Sequence, residues 1–235
     1  MRITFKKKGQ PIETFEQWEE FGRPRLSNQW KSGRSAMEMA KYAIKRTKVF
    51  EGLIKSVLKE CGIPEQNFTC EPEASASMGK GMKRGGCRNH DLLMVGKDGC
   101  VIGIEAKVTE PFDKPLEIKM TEQSINKNGN KKATRAYSLL EYFVKPKYHN
   151  KAKRIGYQLF AATRGTICSA SKTAIMLVIV FVDDESKGAA YEKNDKNFDS
   201  FVKVIGADKN GKIVKKEGGK EIECWIKIKK VNISS

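Results

Sequence analysis

An α/β fold with a central mixed β-sheet flanked by helices is predicted by three features of the chain. Apolar residues recur at helical spacing over about 35–61. Two apolar runs, 90–95 and 100–108, are separated by Gly-Lys-Asp-Gly, which is a hairpin signal. Residues 174–182, AIMLVIVFV, are continuously apolar and rich in β-branched side chains, as in a strand buried on both faces.

The elements follow in order. Residues 1–34 read as a basic N-terminal arm, in which TFEQWEEF (14–21) suits a short amphipathic helix capped by Thr14. A longer helix starts at Ser35. Met37, Ala40, Ile44, Ile54, Val57 and Cys61 form its apolar stripe, and Gly62 and Pro64 end it. A first strand is expected over 68–73, and residues 74–88, ASASMGKGMKRGGCR, read as a small-residue, basic loop. The hairpin follows, and TEPFDKP (109–115) breaks its second strand. Residues 116–135 are polar and carry no clear period. Helices are expected over 133–144 and 152–168, the buried strand over 174–182, a short helix over 197–205 and an edge or half-buried strand over 223–231. The order αβββαβ over about 35–182 forms the core of a single domain, and about 183–235 is an extension.

Composition narrows the partners. The chain has 235 residues and a net charge of +17, with basic residues distributed along its length rather than gathered in one tail. Such an excess favours a polyanion, nucleic acid before membrane surface, although a solubility surface would look the same. The longest apolar run is too short to span a bilayer. MRITFKKKGQ has no apolar core after its charges, so no secretory signal is expected. The six cysteines are scattered, which suits reduced thiols in a cytoplasm.

The chemistry concentrates in residues 91–107, DLLMVGKDGCVIGIEAK. Alternation puts Glu105 and Lys107 on one face of a strand, and the hairpin brings Asp91 beside them. Two carboxylates at that spacing suit Mg²⁺. A lysine next to them suits orientation of a water or neutralisation of charge on phosphate. From spacing alone, a solvated strand face explains the same residues equally well.

D-x(13)-E-A-K after a long helix resembles the signature of the PD-(D/E)xK nuclease superfamily, which includes restriction endonucleases. The element order is similar too. WKSGRSAMEMA (30–40), EAKVTEPFD (105–113) and YQLFAATRGTI (157–167) further resemble an uncharacterised bacterial branch of that superfamily. Asn89 and His90 precede Asp91, so the proline that names the motif is absent. The resemblance implies a restriction-endonuclease-like core and endonuclease activity on DNA more than RNA. Mg²⁺ is implied as cofactor, with Mn²⁺ a plausible substitute. Asp91 and Glu105 would be ligands, together with Ala106 through its main chain, and Lys107 would be the catalytic lysine. A protein that binds nucleic acid without cutting it, and an RNA endonuclease, are the alternatives. A homodimer would suit cutting of both strands, but no assembly signal is present.

Further candidates each have a plainer reading. Glu38, on the first turn of the long helix, completes the metal site in the resembled fold; equally, Ser35 and Glu38 make a capping box. Gln158 lies near the metal-bound water in several superfamily members, or is an ordinary polar residue beside an apolar stripe. Glu71 and Glu73 are possible third ligands, though a solvated strand face suits them better. Lys80, Lys83, Arg84 and Arg88, in the glycine-rich loop, suit phosphate contact or simple solvation. Asp183, Asp184 and Glu185 suit an acidic turn better than a metal site. Cys70, Cys87, His90 and Cys100 lack a C-x(2)-C pair and make poor zinc ligands.

Overall fold

The run at 174–182 becomes the strand around which the sheet is built. The computed structural model describes residues 1–24, 27–79, 86–124, 135–182 and 189–233. Its strands are β1 (Ile3–Lys7), β2 (Gln10–Ile12), β3 (Phe68–Ser77), β4 (Cys87–Gly96), β5 (Cys100–Lys107), β6 (Thr173–Val182), β7 (Lys212–Glu217) and β8 (Lys220–Asn232). They form one eight-stranded mixed sheet in the order β2-β1-β3-β4-β5-β6-β8-β7. β6 pairs in parallel with β5 and β8. Its side chains alternate between two cores. Ile175, Leu177, Ile179 and Phe181 face one, and Ala174, Met176, Val178 and Val180 face the other, all fully buried. A strand apolar on both faces needs a layer on each side, and helices supply both.

On the first face lie α2 (Ser35–Ala40) and α3 (Thr47–Glu60). The single helix expected from Ser35 is interrupted. Lys41–Lys45 form a wide π turn and Arg46 leaves the helical region, so the stripe continues in a second helix. Gly62, at φ 67°, ends α3 as expected. On the other face lie α5 (Arg135–Phe143), α7 (Tyr157–Ser169) and α8 (Ala189–Val204), with α4 (Leu116–Ser124) beside α5. The helix expected over 152–168 is two pieces, because α6 (His149–Ala152) ends in a turn before Gly156.

Several expectations change. The N-terminal arm contributes two strands: β1 runs parallel to β3, and the Lys8–Gly9 turn (φ 50° and 85°) returns β2 alongside it. Thr14 does cap the short helix α1 (Phe15–Gln17), through a capping box with Gln17. β3 runs on to Ser77 through part of the expected loop, because Ala74 and Ala76 are buried and pair across to β4. α8 begins eight residues early, and β8 is not an edge, because β7 covers it. Lys80, Lys83 and Arg84, the start of the helix at Ala133, and Asp183, Asp184 and Glu185 lie outside the described residues. Among the described residues no helix is long and apolar enough to cross a membrane.

Candidate active site

β5 carries Cys-Val-Ile-Gly-Ile-Glu-Ala-Lys with every residue buried. Glu105 and Lys107 pair with Val178 and Val180 of β6, so both point to the α7 side of the sheet. Two charged groups in such a place are costly unless partnered. Glu105 is 0% exposed and heavily partnered. One oxygen lies 3.1 Å from His90 Nδ1, and the other accepts from Arg88 and from the Gln158 amide.

The β4–β5 ladder runs from Val95↔Val101 to Leu92↔Ile104 and stops there. The next residue, Asp91, replaces the backbone partner with its side chain: Ala106 N–H donates to Asp91 Oδ2 at 2.7 Å. The hairpin therefore opens at Asp91, which holds its carboxylate one residue from Glu105. On the other side of β4, pairing skips Glu73, between Pro72↔Leu92 and Ala74↔His90. Glu73 has φ 45°, a left-handed conformation that costs a non-glycine residue about 1–3 kcal/mol. Lys7 pins it by donating to the carbonyls of Pro72 (2.6 Å) and Glu73 (2.8 Å). Beyond this kink, Ala76 and Arg88 turn towards α7, close to Gly165.

The carboxylates answer differently to burial. Burial, then the negative charges of Asp91 and Glu105, push the Glu73 carboxyl up to about 8, against Lys7 and Arg88. Burial and Glu105 push Asp91 up to about 6, against Lys107 and the Ala106 N–H. Burial also opposes ionisation of Glu105. There the Arg88 guanidinium, His90 and Lys107 outweigh it and hold the group down to about 2.

Asp91, Glu73, Lys107, Arg88, Gln158 and Glu110 line a cleft of about 530 Å³. Lys107 is 6% exposed, with its ammonium 5.9 Å from the centre of the Phe112 ring. Glu110 accepts from Val108 N–H (2.8 Å) and from Ser35 N–H (3.2 Å), so it ties the exit of β5 to the start of α2.

The structure thus brings together Asp91, Glu105, Lys107 and Gln158. Glu38 is not in the cleft lining, and its Oε1 accepts from Gly33 N–H (3.0 Å) and Lys41 Nζ (2.8 Å). The capping box is corrected too: Arg34 is the N-cap and Ser35 is the first helical residue. Arg88 reaches the buried Glu105 rather than standing free on a loop. Glu73, expected on a solvated face, joins the cleft, while Glu71 pairs with Lys7 at 3.1 Å. The six cysteines are all free. Among the described residues no three His, Cys, Asp or Glu side chains stand together at metal-ligating spacing.

His90 and Glu110 also belong to this site, although no local sequence pattern marks them as parts of it. For His90 the signal lies in two distant glycines. A Cβ on Gly103 would stand 2.9 Å from the His90 ring, and one on Gly165 would stand 3.0 Å from its Nε2. Only glycine at both positions lets strand and helix close on the imidazole.

A family model covers residues 11–232 of the chain. The chain belongs to the DUF6946 family, described as a domain of unknown function. The match includes every residue that lines the cleft. No curated protein and no solved structure matches the chain.

Proposed function

We propose that this DUF6946 chain is a metal-dependent endonuclease that hydrolyses phosphodiester bonds in DNA, built on a restriction-endonuclease-like PD-(D/E)xK core. The observation that carries the reading is the meeting of Asp91, Lys107 and Gln158 at one cleft, from two strands and a helix, with Glu105 buried directly behind it and bonded to Gln158. The net charge of +17 supports a polyanionic substrate. The scattered cysteines favour a cytoplasmic protein, and a dimer would serve cutting of both strands.

The donor set fits Mg²⁺, or Mn²⁺ in its place. Asp91 and Glu73 stand half-buried beside each other, with carboxyls pushed up by burial and by the charge of Glu105, to which Asp91 adds at Glu73, and a hard cation would offset that cost. Asp91, Glu105 and the main chain of Ala106 would hold it, with Glu73 in the part the resemblance gives to Glu38. When bound, such an ion polarises the scissile phosphate and lowers the pKa of a water.

The residues themselves supply the rest. Lys107, desolvated at the cleft wall, is placed to neutralise charge developing on phosphate oxygen. Gln158 holds Glu105 and presents its amide towards the same cleft. Arg88, released from Glu105, can take a phosphate oxygen in its guanidinium fork. The Arg88–Glu105 pair is also what favours the second reading, a protein that binds nucleic acid without cutting it, because it neutralises one of the ligands.

The test compares wild type with Lys107→Ala on plasmid and on RNA, with Mg²⁺, with Mn²⁺ or with EDTA. Metal-dependent nicking is expected of wild type, slowed in the variant by about 100-fold or more, as for loss of one preorganised donor. Faster cutting of RNA than of DNA would move the substrate class. Equal inertness of both proteins on every substrate would overturn the nuclease reading.

A further inference from the structure

A second basic surface lies away from the carboxylates. The face of α8 that meets the segment around α6 carries Lys193, Lys196, Ser200 and Lys203, at steps of three, four and three residues, which is one helical stripe. Lys151 and Arg154 face it from the other wall, and together they enclose a groove of about 1000 Å³. Glu192 is the one acidic residue in its lining, and it pairs with Lys196 at 3.6 Å. Lys151, Arg154, Lys193 and Lys203 are exposed and make no ion pair with another described residue. Tyr148, an exposed residue, stands at the groove.

A small recess lies between this groove and the active-site cleft and shares walls with both. Pro111 and Asp113 line both the cleft and the recess. Arg154, Lys193 and Asn197 line both that recess and the groove. α8 is also clamped to the cleft. Asn194 donates to the Glu110 carbonyl at 3.0 Å, and Asn197 accepts from Gly156 N–H at 3.0 Å. Glu110 is itself part of the cleft wall. The position of the basic stripe is therefore fixed relative to Asp91 and Lys107 by hydrogen bonds at both asparagines.

We propose that the α6–α8 groove binds the phosphate backbone of a single-stranded nucleic-acid flank leading to the scissile phosphate. The proposal rests on the reading of the cleft as a phosphodiester-cleaving site and extends it to a specific track. Unpaired cations along a channel suit a phosphate chain, and an exposed aromatic among them suits stacking of an unpaired base. The groove is a place where a strand can lie, whereas a flat basic face would hold a duplex or a membrane surface as well.

The experiment measures binding in EDTA, so that nothing is cut. Full-length wild type and the variant Lys193→Ala/Lys196→Ala/Lys203→Ala are titrated against labelled oligothymidylates of about 6 and about 30 nucleotides, lengths near the lower end of, and well above, the site sizes of single-strand binders. Alanine favours the helix, and a thermal melt confirms that the variant folds. Wild type is expected to bind the long strand more tightly than the short one. The variant should lose most of that difference, about tenfold or more at low salt, with the slope of log affinity against log salt shallower by about 2 for three lost phosphate contacts. Equal affinity and equal slope for the two proteins on the long strand would overturn the proposal. It would also fall if the variant lost binding to phosphatidylserine vesicles but kept the oligonucleotide. Binding in EDTA is read independently of cleavage. A groove that fails leaves the cutting assay untouched, and a protein that cuts nothing leaves the binding series interpretable.

Discussion

Glu105 and the Glu73–Asp91 pair occupy neighbouring parts of one site, and Glu105 is the more deeply buried, yet it is their carboxyls that are pushed up and its carboxyl that is held down. Glu105 sits on the inner wall among Arg88, His90 and Gln158 and is held down to about 2. Glu73 and Asp91 sit half-buried on the outer wall, where burial and the charge of Glu105, joined at Glu73 by that of Asp91, push them up to about 8 and about 6. Burial sets only the cost of a charge; the partners decide whether it is met. The inner wall already holds its cations. The outer wall is short of one, and that shortfall is what a metal ion or a bound cationic group would fill.

The comparison breaks most readily at Glu105. Glu105→Ala leaves Arg88 and His90 facing a cavity, and removing one partner of a buried ion pair costs about 3–5 kcal/mol. For a chain of this size that is a fall in Tm of about 6–20 °C. Asp91→Asn at pH 8 removes a repulsion instead, and its Tm should hold or rise. A thermal melt of both variants decides the matter. If both lose stability to the same extent, the two walls do not differ as argued.

The positions of these residues were largely legible in the sequence, and their partners were not. The hairpin and β6 stood out because a period of two and a long β-branched run admit few alternatives. Asp91, Glu105 and Lys107 were visible through that hairpin. β1 was hidden by its lysines and its length of five residues, and β7 by the run Lys-Ile-Val-Lys-Lys-Glu, although lysines are the usual guard of an edge strand. Without β7 in view, the alternation of β8 reads as an edge strand. Strict alternation puts Glu73 on a solvated face, and a φ of 45° at that residue breaks the alternation. No local pattern announces that kink, which is fixed by Lys7 from 66 residues away. His90 needed Gly103 and Gly165 together, on two elements distant in sequence, and either glycine alone has a plainer explanation.

A cation offers a way to sharpen the same contrast. The outer wall should bind Mg²⁺ only when its carboxylates are ionised, so stabilisation by the metal should grow with pH. At pH 8 and a hundredfold excess of Mg²⁺ over its Kd, the gain is about 2.7 kcal/mol, or about 5–10 °C in Tm. At pH 5, where Asp91 and Glu73 are largely protonated, most of that gain should vanish. An Mg²⁺ shift of equal size at both pH values would place the ion elsewhere on the protein.

The smallest expected effect isolates Glu73. Its carboxyl is raised in the folded chain from an ordinary 4.5 to about 8, so the folded state binds more protons than the unfolded chain across that window. Without metal, stability therefore falls as pH rises from 4.5 to 8, and below 4.5 the two states bind alike. Glu105 has the opposite sign: its contribution is present above 4.5 and is lost as pH falls towards 2. Glu73→Gln removes the first dependence and leaves the second. In EDTA at pH 8 the variant should melt about 2–4 °C above wild type, a gain of about 1 kcal/mol for a chain of this length. At pH 4 the two should melt together, because both then carry a neutral group beside Asp91. A lower Tm for the variant at pH 8 would mean that ionised Glu73 has a cationic partner in the free protein, and the outer wall would then be neutralised as the inner one is.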